Sequence, residues 1–404
     1  MITGVGVTSP IGNTMEEVTA ALREQRTGIV TTSAWDRIAD MRTRLAGEVT
    51  NLDLKSRWPR KRVRTMGRVA RLATYATEQA VAAAGLTAEE LSSGRCGVAY
   101  GSTTGSSEAF EHFASTLVAE GSVKGLNGSS FIKFMAHTCA ANIAAFFKVR
   151  GRVIPTCSTC TSGSQAIGYA YESIRYGLVD RMLAGGAEEL HYSSVATFDA
   201  MFATSAGFND APTESPRPFD RRRDGLVIGE GAGTLVLEAL EHAQARGAPI
   251  VAELLGFGTN CDGLHVTAPS EPGMQEAIRL SLADAGVSGD AIDYVNAHGT
   301  ATELGDIAET QATRAVFGRA VPISSTKSYT GHTLGACGAI EAAYCLAMMH
   351  AGFMAPTRTL EEIDPACAEL DYVRETRPAR LDTIMSNNFA FGGVNTSLIL
   401  RRFG

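Results

Sequence analysis

The stretch GRVIPTCSTCTSGSQAIGYAYESIRYG, Gly151 to Gly177, decides how the chain is read. "GRVIPT" is short, β-branched and bounded by glycine, which predicts a strand. "SQAIGYAYESIRYG" places Ala166, Ile167, Ala170 and Ile174 on one helical face and stops at Gly177. The small residues of "CSTCTSG" make a tight strand-to-helix elbow between them. Cys160 therefore stands at or just before a helix N-terminus, where free N–H groups and the helix dipole favour a thiolate and lower its pKa. The same N–H groups can stabilise an oxyanion. Cys157 is still on the strand, and its side chain is expected to pack inside.

The pair admits several readings at this level. Cys160 can be a nucleophile with an idle neighbour, or the two can be inert and buried. A Cys-x-x-Cys at a helix start also suits a dithiol oxidoreductase. Cys157, Cys160, His298 and His332 would make four zinc ligands, although no second Cys-x-x-Cys or paired histidine spacing supports that site.

Outward from the elbow, short apolar runs alternate with helical stretches. Strands are expected over 96–102, 181–189, 231–239, 250–260, 292–300, 321–328 and 396–402. Helices are expected over 66–85, 270–287 and 333–352, the last apolar nearly all round and so buried. That alternation argues for a layered α/β fold. A "GVGVTSPIGN" opening near residue 4 is echoed by "GFGTNCDG" near 256, which fits two similar halves, 1–245 and 246–404.

The 404 residues are 45% hydrophobic and 20% charged, a globular composition. No apolar run approaches a membrane span, and "MITGVGVTSPIG" has no export-signal pattern. The eight cysteines are scattered, several in Ala-rich contexts, which argues for reduced thiols in a cytoplasmic protein. A net charge of −7 excludes nucleic-acid binding by the molecule as a whole. The run 57–71 is the local exception, with Arg57, Arg60, Lys61, Arg62, Arg64, Arg68 and Arg71 and no acid. It reads either as a solvated face or as a docking patch for an acidic partner.

Two histidines stand at expected strand ends. "VNAHGTATELGD" carries His298, and "SSTKSYTGHTLGACGAIEA" carries Lys327 and His332. Strand ends of α/β sheets are where sites form. A cysteine with two imidazoles suits acyl transfer followed by carbon–carbon bond formation, which needs donors for a developing enolate oxygen. "SNNFAFGGVN", 386–395, is expected to be an aromatic loop in which Phe391 swings as a gate beside Gly392 and Gly393.

"CSTCTSGSQAIG", "VNAHGTAT", "SSTKSYTGHTLGA" and "NNFAFGGVN", in this order, resemble the elongating β-ketoacyl-acyl carrier protein synthases. "RPFDRRRDGLVIGEGAGTLVLE" and "AGGAEE" match as well. The resemblance covers essentially the whole chain. It implies a thiolase-like fold, two similar halves in a five-layered α/β/α/β/α arrangement, and a dimer. It implies that Cys160 accepts the acyl chain as a thioester, and that His298 and His332 bind the malonyl thioester carbonyl and assist decarboxylation. Lys327 is implied as the supporting lysine, paired with Glu341. Phe391 is implied as the gate, its N–H completing an oxyanion hole with that of Cys160. Thr300 and Thr302 are implied to contact phosphopantetheine. The substrates ride on acyl carrier protein, with no further cofactor and no metal. Because carrier proteins are acidic, the resemblance turns Arg60, Lys61, Arg62, Arg64 and Arg68 into an expected docking surface.

Related families differ at these positions. Thiolases use a second cysteine near the C-terminus, where this chain has His332 and "NNFAFGG". Initiating synthases carry Asn in place of His332, and chain-length-factor partners lack the cysteine. The chain also departs from housekeeping elongating synthases. It has "STC" where they show "TAC", and "GSTTGS" where they show "GSGIGG", which puts Thr104 at an expected acyl-pocket position. Stretches 35–47 and 59–70 look closer to synthases of bacterial aryl polyene clusters. That branch implies an aryl-polyene chain and either a homodimer or a heterodimer with a chain-length factor.

Overall fold

The computed structural model describes residues 1–404. Eleven strands form one sheet in which a five-strand pattern occurs twice. In the first half the order is Val153–Thr156, Cys96–Gly101, Arg181–Glu188, Gly231–Glu238, Ile2–Thr8, paired parallel, parallel, antiparallel, antiparallel. In the second it is Pro322–Ser324, Tyr294–Asn296, Thr383–Phe389, Val394–Arg402, Ala252–Cys261, with the same sequence of pairings. The halves meet where Ile2 pairs Ala252. Asp371–Tyr372 adds one edge strand to the second half.

Paired glycines explain how helices lie so close to the two central strands. A Cβ on Gly4 or Gly6 would stand 2.1 or 2.0 Å from the carbonyl oxygens of Ala80 and Ala76 in the helix Arg68–Ala84. A Cβ on Gly256 or Gly258 would stand 2.5 or 2.2 Å from those of Ser281 and Ala277 in the helix Glu271–Ala285. These repeats are the ones that echo each other in the sequence. The helices Ser162–Arg175 and Cys337–Ala351 form the middle layer and touch strands of both halves. Gly163 and Gly338 let them meet, because a Cβ there would press on Ala339 and Ser164. As its composition predicts, Cys337–Ala351 is buried from Cys337 to Met349, with His350 exposed and Ala351 partly covered at its end. The span Leu334–Ala351 is the one helical stretch apolar and long enough to cross a membrane, and it lies inside the core.

Two expectations change here. "SNNFAFGGVN" is not a free loop. Ser386–Phe389 ends one strand and Val394 starts the next, so Ala390–Gly393 is a hairpin corner. Cys157 does not pack inside. The strand ends at Thr156, and the Cys157 thiol is exposed, donating to the Thr103 carbonyl at 3.0 Å. One residue beyond the last ladder pair, its side-chain direction is set by the elbow and no longer by strand alternation.

Candidate active site

The elbow is strained and tied down. Thr159 takes φ 49°, a left-handed conformation that β-branched residues avoid. Its hydroxyl donates to the Phe391 carbonyl at 2.9 Å, and the Ser158 N–H donates to Ser162 Oγ at 3.0 Å. Thr159–Thr161 form a 3-10 turn that runs into the helix Ser162–Arg175. Cys160, 5% exposed, thus sits at the helix start and lines a cavity of about 530 Å³.

The second half supplies the imidazoles. His332 Nε2 lies 3.0 Å from Cys160 Sγ. The Leu334 N–H donates to His332 Nδ1 at 3.3 Å, so Nδ1 is an acceptor and the neutral ring carries its proton on Nε2, facing the sulfur. The His298 ring stands at 88° to that of His332, with centroids 5.2 Å apart. The backbone N–H groups of His298 and Gly299 donate to the two carboxylate oxygens of Glu309 at 2.7 and 2.6 Å. Asp306, one turn earlier on the same helix, accepts from the Ala301 N–H at 3.1 Å.

Burial, and then the Lys327 charge, hold both imidazoles well below their ordinary range, so both are neutral. Burial opposes the Lys327 charge as well, but Glu341 with help from Cys337 and Glu309 outweighs it, and the ammonium pKa ends above the usual lysine value. Lys327 Nζ donates to one Glu341 oxygen, and Asn388 donates to the other at 2.7 Å. The expected drop in the Cys160 pKa does not hold. Burial pushes the thiol up to about 11, against the pull of Lys327, the Phe391 N–H, the Thr159 hydroxyl and the Cys160 N–H. The helix terminus is present, but it is dry, and desolvation wins.

Cys160, His298 and His332 offer ligand atoms within 4.8 Å of one another, a soft set that would suit zinc. The His332 tautomer opposes that use. With Nδ1 accepting an N–H, the atom facing the cysteine carries a proton and donates.

Thr300 and Thr302 also line the cavity, their hydroxyls 3.0 Å apart. Phe391 is half-buried at the hairpin corner, its ring 5.6 Å from that of Phe198, with Gly392 and Gly393 at φ 91° and 71°. Thr104 is not brought to this cavity; it is exposed and donates to the Gly105 carbonyl at 3.1 Å. Of the basic run, Arg60, Lys61 and Arg64 are exposed and free of ion pairs. Arg62 lies 3.7 Å over the Phe146 ring and donates to that residue's carbonyl. Arg68 is not a free docking cation. It opens the helix Arg68–Ala84 and grips the buried carboxylate of Glu230, its Nε 2.7 Å from one oxygen.

Sequence reasoning did not single out Asp306, Glu309, Asn388 or Leu334. Asp306 and Glu309 did leave a signal: two acids three apart on a helix directly behind "HGTATELG", on the face that must be buried.

Fold and site together define a thiol-dependent condensing enzyme of the acyltransferase class on a thiolase-like scaffold. The chain belongs to the β-ketoacyl synthase family: the family's N-terminal domain matches residues 1–243 and its C-terminal domain residues 251–361. It is 42% identical to 3-oxoacyl-[acyl-carrier-protein] synthase 1 of Escherichia coli, covering 100% of this chain and 98% of that one. A β-ketoacyl synthase structure from Burkholderia phymatum superposes with TM-score 0.96 at 51% identity, covering 100% and 99%. The ishigamide ketosynthase/chain length factor structure does so with TM-score 0.92 at 36% identity, covering 100% and 98%.

Proposed function

We propose that this chain condenses a Cys160-bound acyl group with malonyl-acyl carrier protein, giving 3-oxoacyl-acyl carrier protein and CO2. The observation that carries this reading is the His332 Nε2–H aimed at Cys160 Sγ, with a second neutral imidazole beside it and no acid on either ring. In the first half-reaction the Cys160 sulfur attacks the carbonyl of the incoming thioester. The bond from that carbonyl to the carrier's pantetheine sulfur breaks, and the proton lost by the Cys160 thiol ends on the departing pantetheine thiol. The N–H groups of Cys160 and Phe391, which both favour negative charge on the sulfur against burial, are the ones we assign to the oxyanion. In the second, the malonyl carboxylate leaves as CO2 and the electron pair forms an enolate. His298 and His332 donate to its oxygen, and its carbon attacks the Cys160 thioester carbonyl. The carbon–sulfur bond breaks to release the Cys160 thiolate, which takes up a proton and restores the thiol. Neutral rings suit that task, because each keeps one N–H to donate. Glu309 and Asp306 position the His298 loop, and burial together with the Lys327 charge keeps the rings unprotonated. Thr300 and Thr302 bind the pantetheine arm, and no further cofactor is needed.

The name of the E. coli relative supports acyl carrier protein as the partner. Arg60, Lys61 and Arg64 form the electrostatic part of its docking surface. An exposed edge strand at Val153 and the exposed Phe110, Val118 and Phe131 support a dimer, with a second copy or with a chain-length-factor-like subunit. Eight unpaired cysteines support a cytoplasmic enzyme. We assign the pathway to aryl polyene or related polyene synthesis, with housekeeping fatty acid elongation as the second reading. The test is acyl loading. Incubation with acyl-acyl carrier protein adds the acyl mass to the peptide containing Cys160, and a folded protein without that adduct overturns the proposal. Product masses formed from malonyl-carrier protein and a panel of primers decide between the two pathways.

A further inference from the structure

The helix Tyr192–Ala200 ends in an unusual way. The Ala203 N–H donates to the Phe198 carbonyl and the Phe202 N–H to that of Asp199, both at 3.0 Å. This is the Schellman arrangement, whose left-handed residue is normally glycine. Here that residue is Phe202, at φ 56°. The helices Arg68–Ala84, Glu271–Ala285, Glu303–Phe317 and Cys337–Ala351 all end on a glycine instead. A left-handed conformation is disfavoured for any bulky residue. Phe202 gains no core contact in return, since it is 75% exposed.

Phe202 is nevertheless held in place. The Arg42 guanidinium lies 4.4 Å from its ring centroid and donates to the Asp199 carbonyl. One face of the ring is covered by a cation and the rest is open. Phe202 lines the cavity that holds Cys160, together with Met201, 41% exposed, and Leu304, 65% exposed, which starts another helix.

We infer that Phe202, Met201 and Leu304 form an apolar collar that seats the body of the acyl carrier protein, Phe202 being the residue that selects it. The inference rests on the proposed condensation. A pantetheine arm threading the opening touches its inner wall at Thr300 and Thr302. It does not cover the outward surfaces of side chains that are mostly in solvent. What covers them is the protein to which the arm is tethered, through apolar side chains beside the attachment site. The Arg42 guanidinium is itself paired with Asp199, 3.8 Å away, so what the collar offers the carrier protein is its apolar surface.

The test compares an acyl-carrier protein with the same acyl group on free pantetheine, using parent and Phe202→Gly enzymes. Glycine suits the left-handed position, so the variant folds and its melting temperature does not fall. The preference for the carrier-borne donor, read as the ratio of the two kcat/KM values, is expected to fall about tenfold through KM. Phe202→Tyr is expected to restore most of it. An unchanged ratio overturns the inference, and so does an equal loss with both donors, which would place Phe202 on the arm or acyl chain. A parent enzyme that loads Cys160 from neither donor fails the condensation proposal itself, a result distinct from either.

Discussion

The elbow at Cys160 and the turn after His332 are the same piece of backbone used for different chemistry. Thr159–Thr161 and Leu334–Ala336 are both 3-10 turns, their first residues at φ 49° and 47°, and each runs into a central helix. In that register Cys160 corresponds to Gly335 and Cys157 to His332. The first turn lifts a thiol to the helix start. The second leaves that place to a glycine, whose N–H donates to Glu188 at 3.0 Å, and puts its reactive side chain three residues earlier. Two strained turns, facing each other across paired helices, bring a thiol and an imidazole within 3.0 Å although they are 172 residues apart. The duplicated scaffold supplies the geometry, and the divergence of the two turns supplies the chemistry.

The helices that follow the turns differ as well, and this is where the largest effect is expected. Ser162–Arg175 has one polar face, whereas Cys337–Ala351 carries Glu341 into the core to meet Lys327. Glu341→Ala leaves a buried ammonium uncompensated, which costs about 3–5 kcal/mol of stability. Chemical denaturation of parent and variant measures it. A loss below about 1 kcal/mol would mean that water reaches the pair and that the two helices are less different than their burial indicates.

A second effect concerns the dry first turn. With the Cys160 thiol at about 11, its thiolate fraction rises about tenfold per pH unit through the range where an ordinary cysteine levels off. Iodoacetamide alkylation of Cys160, followed by peptide mass, is therefore expected to accelerate about a hundredfold between pH 8 and pH 10. A plateau near pH 8 would show that the N–H groups and Lys327 outweigh burial. The stability linkage has a matching sign. A thiol whose folded pKa is raised contributes stability that is full below pH 9 and lost as pH rises toward 11.

Much of this was legible in the sequence, for identifiable reasons. Strands and central helices show because their apolar periods and glycine stops are local. Cys160, His298, Lys327 and His332 show because each stands at a strand or helix boundary among small residues. What did not show depends on packing between distant segments. Arg68 reads as one more surface cation until Glu230, 162 residues away, is seen to hold it. The Cys160 pKa reads as lowered until burial is known. The Leu334 N–H that fixes the His332 tautomer is a backbone group and leaves no mark in composition.

The smallest effect is expected at Cys157, and it tests whether the two turns share a duty or divide it. Cys157 occupies the place that His332 fills in the other half, yet it is exposed and bonded to the Thr103 carbonyl, while the groups gathered within 4.8 Å are Cys160, His298 and His332. A dithiol pair would need both sulfurs facing one another at comparable depth. Cys157→Ser keeps a donor for Thr103 and leaves Cys160 untouched, so condensation is expected within about twofold of the parent, the range of ordinary surface substitutions. Inactivation by peroxide, followed by loss of activity and by peptide mass, is expected at the same rate in both proteins. Slower inactivation of the variant, with a Cys157–Cys160 disulfide recovered only from the parent, would restore the redox pair and undo the division of labour between the turns.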